Sequence, residues 1–195
     1  MNFTVVPILF FVTVLTLADC TTTSKVHYNK AMEELNSSKD DYSRWCALNR
    51  AAKESLNQGH DPDAISFAEE MERLAPKYTK DWNYGNAIQD FNIVLGRLDL
   101  KSGDTAKAKK HLLAAGHSKS SPQMDTFGPN MTLAKELLVK GEKDVVLEYF
   151  ELCRKFWAKD KDTDSLDAMH SERLDQWKKD VENGRIPDFG ANLDY

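Results

Sequence analysis

The fold of this chain is decided by residues 83–117, which read NYGNAIQDFNIVLGRLDLKSGDTAKAKKHLLAAGH. The first half places apolar residues at steps of three and four, the spacing that puts them on one face of an α-helix. The second half repeats that spacing after a short polar break. Gly103 can take the left-handed conformation that ends a helix, and Asp104 can cap the next helix by accepting backbone N–H bonds. The stretch therefore predicts a helical hairpin.

A hairpin of two helices cannot bury its apolar faces alone, so it needs neighbours of the same kind. Residues 42–74 predict one neighbour, because two amphipathic segments flank a break in which Asp61 fits the N-cap and Pro62 fits the first helical position. Residues 131–157 predict another, with Gly141 at its turn. No segment alternates apolar and polar residues with period two, so we expect an all-α fold without a sheet.

The remaining segments complete the predicted organisation. The three hairpins form a repeat domain over 41–164, preceded by a spacer and a short helix over 21–40. A capping helix is expected over 165–183, where an apolar stripe would seal the last hairpin, and an extended tail over 184–195. The longest irregular stretch, 118–129, is rich in Pro, Gly and Ser and is expected to be a loop.

Composition limits the classes of partner. Charged residues make up 29% of the chain, and the net charge is −5. A general nucleic-acid-binding protein usually carries a clustered basic surface, so we expect no nucleic-acid partner.

The first 20 residues resemble a secretory signal peptide. Residues 3–18 are almost wholly apolar, which is short for a membrane span of about 20 residues but suits the apolar core of a signal. We therefore expect export, to the periplasm, to the outside of the cell or to a membrane as an anchored lipoprotein. Cleavage after Ala18 or Cys20 stays open. So do an uncleaved N-terminal anchor and lipidation of Cys20, because residues 17–20 resemble a bacterial lipoprotein box.

The three hairpins share a residue pattern when they are aligned on their turn glycines, Gly59, Gly103 and Gly141. Five positions at fixed distances from the glycine are small or apolar in every copy. Small residues at such positions let paired helices approach closely, and large ones fill the space between pairs. The fifteen residues are Ala51, Leu95 and Leu133; Ala52, Gly96 and Ala134; Ala64, Ala108 and Val146; Ala68, Leu112 and Phe150; and Met71, Ala115 and Cys153.

This pattern resembles the tetratricopeptide repeat. The central hairpin keeps the family's sequence of residues best, with Leu95 and Gly96, then Gly103, Ala108 and Ala115. The copies are 44 and 38 residues apart rather than the family's 34, and the early Trp and the mid-helix Tyr of the family are replaced. The resemblance implies a right-handed α-α superhelix of about three hairpins.

The resemblance also implies a binding site. In arrays of this kind the first helix of each pair lines a concave groove in which peptides bind. Here a basic residue stands six positions before each turn glycine, and an Asn or an apolar residue stands ten positions before it. Basic and Asn side chains in such a row can bind a carboxylate through charge-assisted hydrogen bonds. The candidate peptide-binding residues are Asn49, Lys53, Ile93, Arg97, Met131 and Lys135.

The sequence therefore predicts a non-catalytic exported scaffold that binds a protein or peptide partner, with an acidic segment or a C-terminal carboxylate as the recognised feature. No catalytic, cofactor or metal site is expected, because the five histidines lack metal-ligand spacing and no phosphate loop, nucleophile elbow or paired-cysteine motif is present. Two alternatives stay open. One is an accessory or inhibitor protein that docks through its convex face or the 118–129 loop, and the other is an enzyme whose site residues are dispersed along the chain.

Overall fold

The computed structural model describes residues 17–159 and 166–193, with the backbone alone for 17–22. These residues form nine α-helices and no strand, so the predicted all-α class is confirmed. Short 3-10 turns follow α3 at Ala75–Tyr78 and close the described chain at Gly190–Leu193. The helices are α1 (Leu17–Asn36), α2 (Asp41–Gln58), α3 (Asp61–Leu74), α4 (Tyr84–Ser102), α5 (Thr105–Gly116), α6 (Pro122–Phe127), α7 (Thr132–Val139), α8 (Lys143–Trp157) and α9 (Leu166–Glu182).

Helices α2 and α3, α4 and α5, and α7 and α8 each pack together across a tight turn. The turn glycines Gly59, Gly103 and Gly141 all have positive φ, between 75° and 93°, as predicted for Gly103. The Asp104 carboxylate accepts the Lys107 backbone N–H at 3.0 Å, so its predicted capping role is also confirmed. Local sequence thus determines where each hairpin turns.

The hairpins pack side by side. Helix α4 contacts α2 and α3 on one side and α7 on the other, and α5 contacts α7 and α8. Of the fifteen aligned positions, fourteen are buried and Leu95 is half-buried. Gly96 shows why one of these positions must be small, since a Cβ there would lie 2.4 Å from Leu133 Cδ2 and 2.9 Å from His111 Cβ.

Helix boundaries differ from the prediction in two places. The segment 21–40 is mostly helix rather than spacer, because α1 runs to Asn36 and buries Ala31 and Leu35 against the rest of the fold. Helix α3 begins at Asp61, with His60 as its N-cap, so the proposed capping role of Asp61 is wrong.

The predicted loop and tail are also more ordered than expected. Within 118–129, the Ser121 hydroxyl accepts the Met124 backbone N–H at 3.0 Å and so caps the short helix α6. The Pro and Gly residues of this segment had indicated a loop instead. The predicted extended tail, 184–195, folds back onto the protein, where Phe189 and Asn192 are buried. These two segments are therefore part of the core rather than spacers.

Helix α9 covers the last hairpin as predicted. The Trp177 ring stacks on Trp157 with centroids 5.7 Å apart and lies 6.0 Å from the Phe150 ring. Its indole N–H donates to the Asp188 carbonyl at 3.0 Å, and Phe189 packs against it edge-on. This aromatic cluster joins α8, α9 and the tail.

Replacing Trp177 with Ala tests the importance of this cluster. Loss of a buried Trp leaves a large cavity, so we expect the free energy of unfolding to fall by about 3–5 kcal/mol. Urea denaturation followed by far-ultraviolet circular dichroism measures the loss. Gln176→Ala, at the exposed neighbouring position, is the control and should change stability by less than about 0.5 kcal/mol. Equal effects of the two substitutions would contradict the role of α9 as a cap.

Candidate functional site

Two cavities of about 450 Å³ each lie on the face formed by α2, α4 and α7, which we call the α2–α4–α7 face. The first lies between α2, α4 and α6 and is lined mainly by side-chain amides, so we call it the amide cavity. The second lies between α2, α4 and α7 and has an apolar floor with charged side chains around it, so we call it the basic cavity. The amide cavity includes Asn49, Asn83, Asn86, Gln89 and Gln123, and the basic cavity is lined by Leu56, Arg97, Leu100, Lys101, Glu136, Val139 and Lys140.

Helical spacing places both cavities along the same helix faces. On α4, Asn86, Gln89 and Asp90 line the amide cavity, and Arg97 and Leu100 line the basic cavity about two turns further along the same side of the helix. Between the two cavities this side of the helix carries the buried residue Ile93. On α2, Asn49 and Leu56 stand two turns apart on a matching stripe. The α4 stripe rises about 20 Å, a length that about six residues of extended peptide cover.

Asp90 neutralises the basic end of the amide cavity. The Asn49 side-chain amide donates a hydrogen bond to the Asp90 carboxylate, and Lys53 Nζ lies 3.4 Å from Asp90 Oδ1. Asp90 itself is buried. Lys53 and Asp90 therefore form an internal pair. Arg50 and Glu54 also line the cavity, so its formal charges balance, and its side-chain amides offer neutral donors and acceptors to a ligand.

The basic cavity keeps an excess of positive charge. Arg97 Nε lies 2.8 Å from Glu136 Oε1, and Lys101 Nζ lies 2.6 Å from Asp61 Oδ2 outside the lining. Lys140 is exposed at the rim. Three cations and one carboxylate thus surround an apolar floor on a protein whose net charge is negative.

The six predicted peptide-binding residues divide into three groups. Asn49 and Lys53 line the amide cavity and Arg97 lines the basic cavity, while Lys135 is exposed on α7 and lines neither. Ile93 and Met131 belong to the hydrophobic core, with 3% and 0% of their surfaces exposed. Their predicted role as apolar neighbours in the groove is therefore wrong, because α4 and α7 turn these two side chains inward.

Sequence reasoning missed the counter-ions and the apolar floor. Asp90 lies seven residues before Arg97, so a search for acidic residues on the same face of the helix would have found it. Glu136 directly follows Lys135 and therefore lies on a different face of its helix, and its pairing with Arg97 depends on how α4 and α7 pack. Leu56 and Val139 lie in the last turns of α2 and α7. From sequence alone, apolar residues at such positions are ordinarily assigned to the core rather than to a binding site.

The 118–129 segment is held against the α2–α4–α7 face by side-chain hydrogen bonds. The Ser121 hydroxyl donates to Asn86 Oδ1 at 2.6 Å, and the Asn86 amide nitrogen donates to Gln123 Oε1 at 3.1 Å. Helix α6 is thereby fixed as one wall of the amide cavity, and Met124 beneath it is buried.

A buried polar network fixes the chain just after α6. Asn130 N–H donates to Gln89 Oε1 at 3.0 Å, and the Tyr149 hydroxyl donates to the Asn130 carbonyl at 2.8 Å. The Asn192 amide donates to the Pro129 carbonyl at 2.9 Å. Burial raises the pKa of the Tyr149 hydroxyl well above its ordinary value, so it stays protonated and keeps donating. Helices α4 and α8 and the tail therefore jointly position this segment.

Among the side chains of 23–159 and 166–193, no group of three or more His, Cys, Asp or Glu residues could hold a metal ion. In the same part of the chain, no helix combines the length and apolar character needed to cross a bilayer. The predicted signal core and the Cys20 side chain lie outside the described residues, so export and lipidation stay predictions.

Comparison with family models, with curated protein sequences and with solved structures gives no match for this chain.

Tyr149→Phe tests the buried network. The substitution deprives the buried Asn130 carbonyl of its hydroxyl partner, so we expect the free energy of unfolding to fall by about 1–3 kcal/mol. Urea denaturation gives the value. Tyr84→Phe is the control, because the contact of Tyr84 with the Lys119 ammonium group is made by the ring, which the substitution keeps. It should lower the free energy of unfolding by less than about 0.5 kcal/mol. A wild-type-like Tyr149→Phe variant would show that the network does not hold the segment.

Proposed function

We propose that this protein is a non-catalytic, tetratricopeptide-like scaffold that binds an extended peptide segment of a partner protein on the α2–α4–α7 face. In this proposal the hairpins wind into a right-handed superhelix, and the face is its concave side. The observation that carries the proposal is the alignment of the amide cavity and the basic cavity along the first helices of the three hairpins. Peptide grooves of repeat arrays lie on such helices.

The chemistry of the face supports a peptide ligand. Extended peptides expose backbone N–H and C=O groups. A side-chain amide can donate to the C=O through its nitrogen and accept from the N–H through its oxygen. The amide cavity offers Asn83 and Gln123 at its edge. Each accepts a hydrogen bond from the Asn86 amide through its side-chain oxygen, so each side-chain amide keeps further hydrogen-bonding capacity. The basic cavity adds an apolar floor, which suits one side chain of such a segment.

The repeat pattern supports the scaffold architecture. The aligned positions are buried throughout the three hairpins apart from half-buried Leu95, and the three turn glycines share one backbone conformation. The links that contain the Ala75–Tyr78 turn and α6 lengthen both intervals between copies. The first interval is the longer because α4 has 19 residues whereas α7 has 8. Export of the scaffold is part of the proposal and is supported by the apolar residues 3–18.

A second candidate function is docking through the 118–129 segment. It is favoured by Phe127, whose ring stands at the end of α6 with 62% of the residue exposed. Large exposed aromatic residues often anchor protein interfaces. An accessory or inhibitor protein could use this residue without using either cavity.

Charge reversal on the α2–α4–α7 face tests the proposed function. Peptides are first selected on the intact protein from a random short-peptide library, and their affinities are then compared with those for Arg97→Glu/Lys140→Glu, since both residues line the basic cavity. We expect the double variant to bind the selected peptides about tenfold more weakly or worse, because it reverses two cations at the groove. Fluorescence anisotropy measures each affinity.

The matched control is Arg173→Glu/Lys179→Glu, which makes the same charge change at exposed positions of α9. It should bind like the wild type. Equal binding by both double variants, or the absence of any selected peptide, would contradict the proposal. Loss of binding in Phe127→Ala instead would favour docking through the 118–129 segment.

A further inference from the structure

The basic cavity contains an apolar side chain, Val139, that is largely exposed to solvent and is not part of the hydrophobic core. Val139 ends α7 with 66% of its surface exposed, although it lies beside half-buried Leu56 and buried Leu100. An apolar residue in a cavity gains stability when a ligand removes it from water. This site therefore favours an apolar side chain from a partner.

The charges around the floor determine what must flank that apolar side chain. Lys140 is exposed at the rim, where its ammonium group can reach a ligand. Lys101 keeps 58% of its side chain exposed, although its Nζ lies 2.6 Å from Asp61 Oδ2, so a ligand carboxylate would share this ammonium group with Asp61. Arg97 uses its Nε on Glu136, and its guanidinium has further N–H donors. Carboxylates are the groups that such donors bind best.

We propose that the basic cavity recognises an apolar residue with carboxylates next to it, in an extended acidic segment of a partner protein. This inference rests on the proposed peptide-binding function and names the chemistry that the site selects. The apolar side chain lies on Leu56, Leu100 and Val139, and the adjacent carboxylates contact Lys101, Lys140 and Arg97. The amide cavity, further along α4, binds the backbone of the same segment without selecting its charge.

The local charge explains why this end of the face, rather than the other, sets specificity. In the amide cavity Lys53 is paired with buried Asp90 and Glu54 adds a second carboxylate, so an acidic ligand there would meet two internal carboxylates. Around the basic cavity Arg97 and Lys101 also have carboxylate partners, Glu136 and Asp61, but these pairs are more exposed and Lys140 adds a third cation. A chain with net charge −5 repels an acidic segment overall, so binding of such a segment depends on a local excess of cations.

A defined peptide tests the inference. The probe is fluorescein-labelled Gly-Ser-Asp-Glu-Leu-Asp-Glu-Ser-Gly, measured by fluorescence anisotropy against the full chain. One comparison peptide replaces Leu with Ser, and another replaces each acid with its amide. We expect the probe to bind at least about tenfold more tightly than either, and to weaken as salt is added. Equal affinity for all three peptides would overturn the inference.

Val139→Asp locates the site. It places a carboxylate on the apolar floor, so probe affinity should fall about tenfold or more. Val26→Asp is the matched control, since Val26 is 58% exposed on α1 and lines neither cavity. Both variants should retain the wild-type circular dichroism spectrum. A Val139→Asp variant that is folded and binds like the wild type would place recognition elsewhere and overturn the inference.

Two further measurements separate the possible outcomes. A probe that ends after Leu, prepared with a free carboxylate or a carboxamide, shows whether a chain terminus can replace the acidic side chains. The random-library selection separates this inference from the proposed function. Selected peptides that need the α2–α4–α7 face but lack an acidic and apolar pair would overturn the inference and leave the function standing. A selection without binders would overturn both.

Discussion

The burial of α4 on two sides is the constraint on which the rest of this structure depends. Ala87, Phe91, Val94 and Leu98 pack with α2 and α3 in one hydrophobic cluster, whereas Ile93 and Leu100 pack with α5, α7 and α8 in another. A helix that is apolar on most of its surface must be surrounded by other elements. Helix α4 is therefore the shared wall of two cores, and neither core is complete without it.

The remaining stripe of α4 is polar, and it lines the candidate site. Asn86, Gln89 and Asp90 form the amide cavity, and Arg97 contributes to the basic cavity. The same helix that joins the two cores thus holds the groups proposed to contact a peptide. Rigid helices position binding groups more accurately than loops do. The packing of the hairpins therefore determines the geometry of the site.

Ion pairs within the site decide what kind of ligand it favours. Lys53 and Asp90 satisfy each other, as do Arg97 Nε and Glu136, so the row of cations expected from the sequence is largely neutralised within the chain. What remains available is a neutral, amide-lined region and a region with excess positive charge. We therefore expect the basic cavity to select the ligand by its side chains, and the amide cavity to bind the backbone of the same ligand.

Much of the fold could be predicted from the sequence because it depends on local signals. The turn at Gly103 with its Asp104 cap, and the buried small residues such as Gly96, follow from helical spacing and from backbone conformations that favour glycine. The candidate site could be predicted only in part. Whether Ile93 points to solvent or to the core, and which carboxylate pairs with Lys53, depends on how hairpins distant in sequence pack together.

The most direct measurement of the central claim is backbone hydrogen exchange, followed by mass spectrometry, in wild type and in Val94→Ala. Val94 lies in the cluster formed with α2 and α3, on the opposite side of α4 from α8. If α4 makes the two cores one cooperative unit, the substitution will speed exchange in α5 and α8 as well as in α2 and α3. An increase confined to α2 and α3 would show that the two cores unfold separately and would contradict the account.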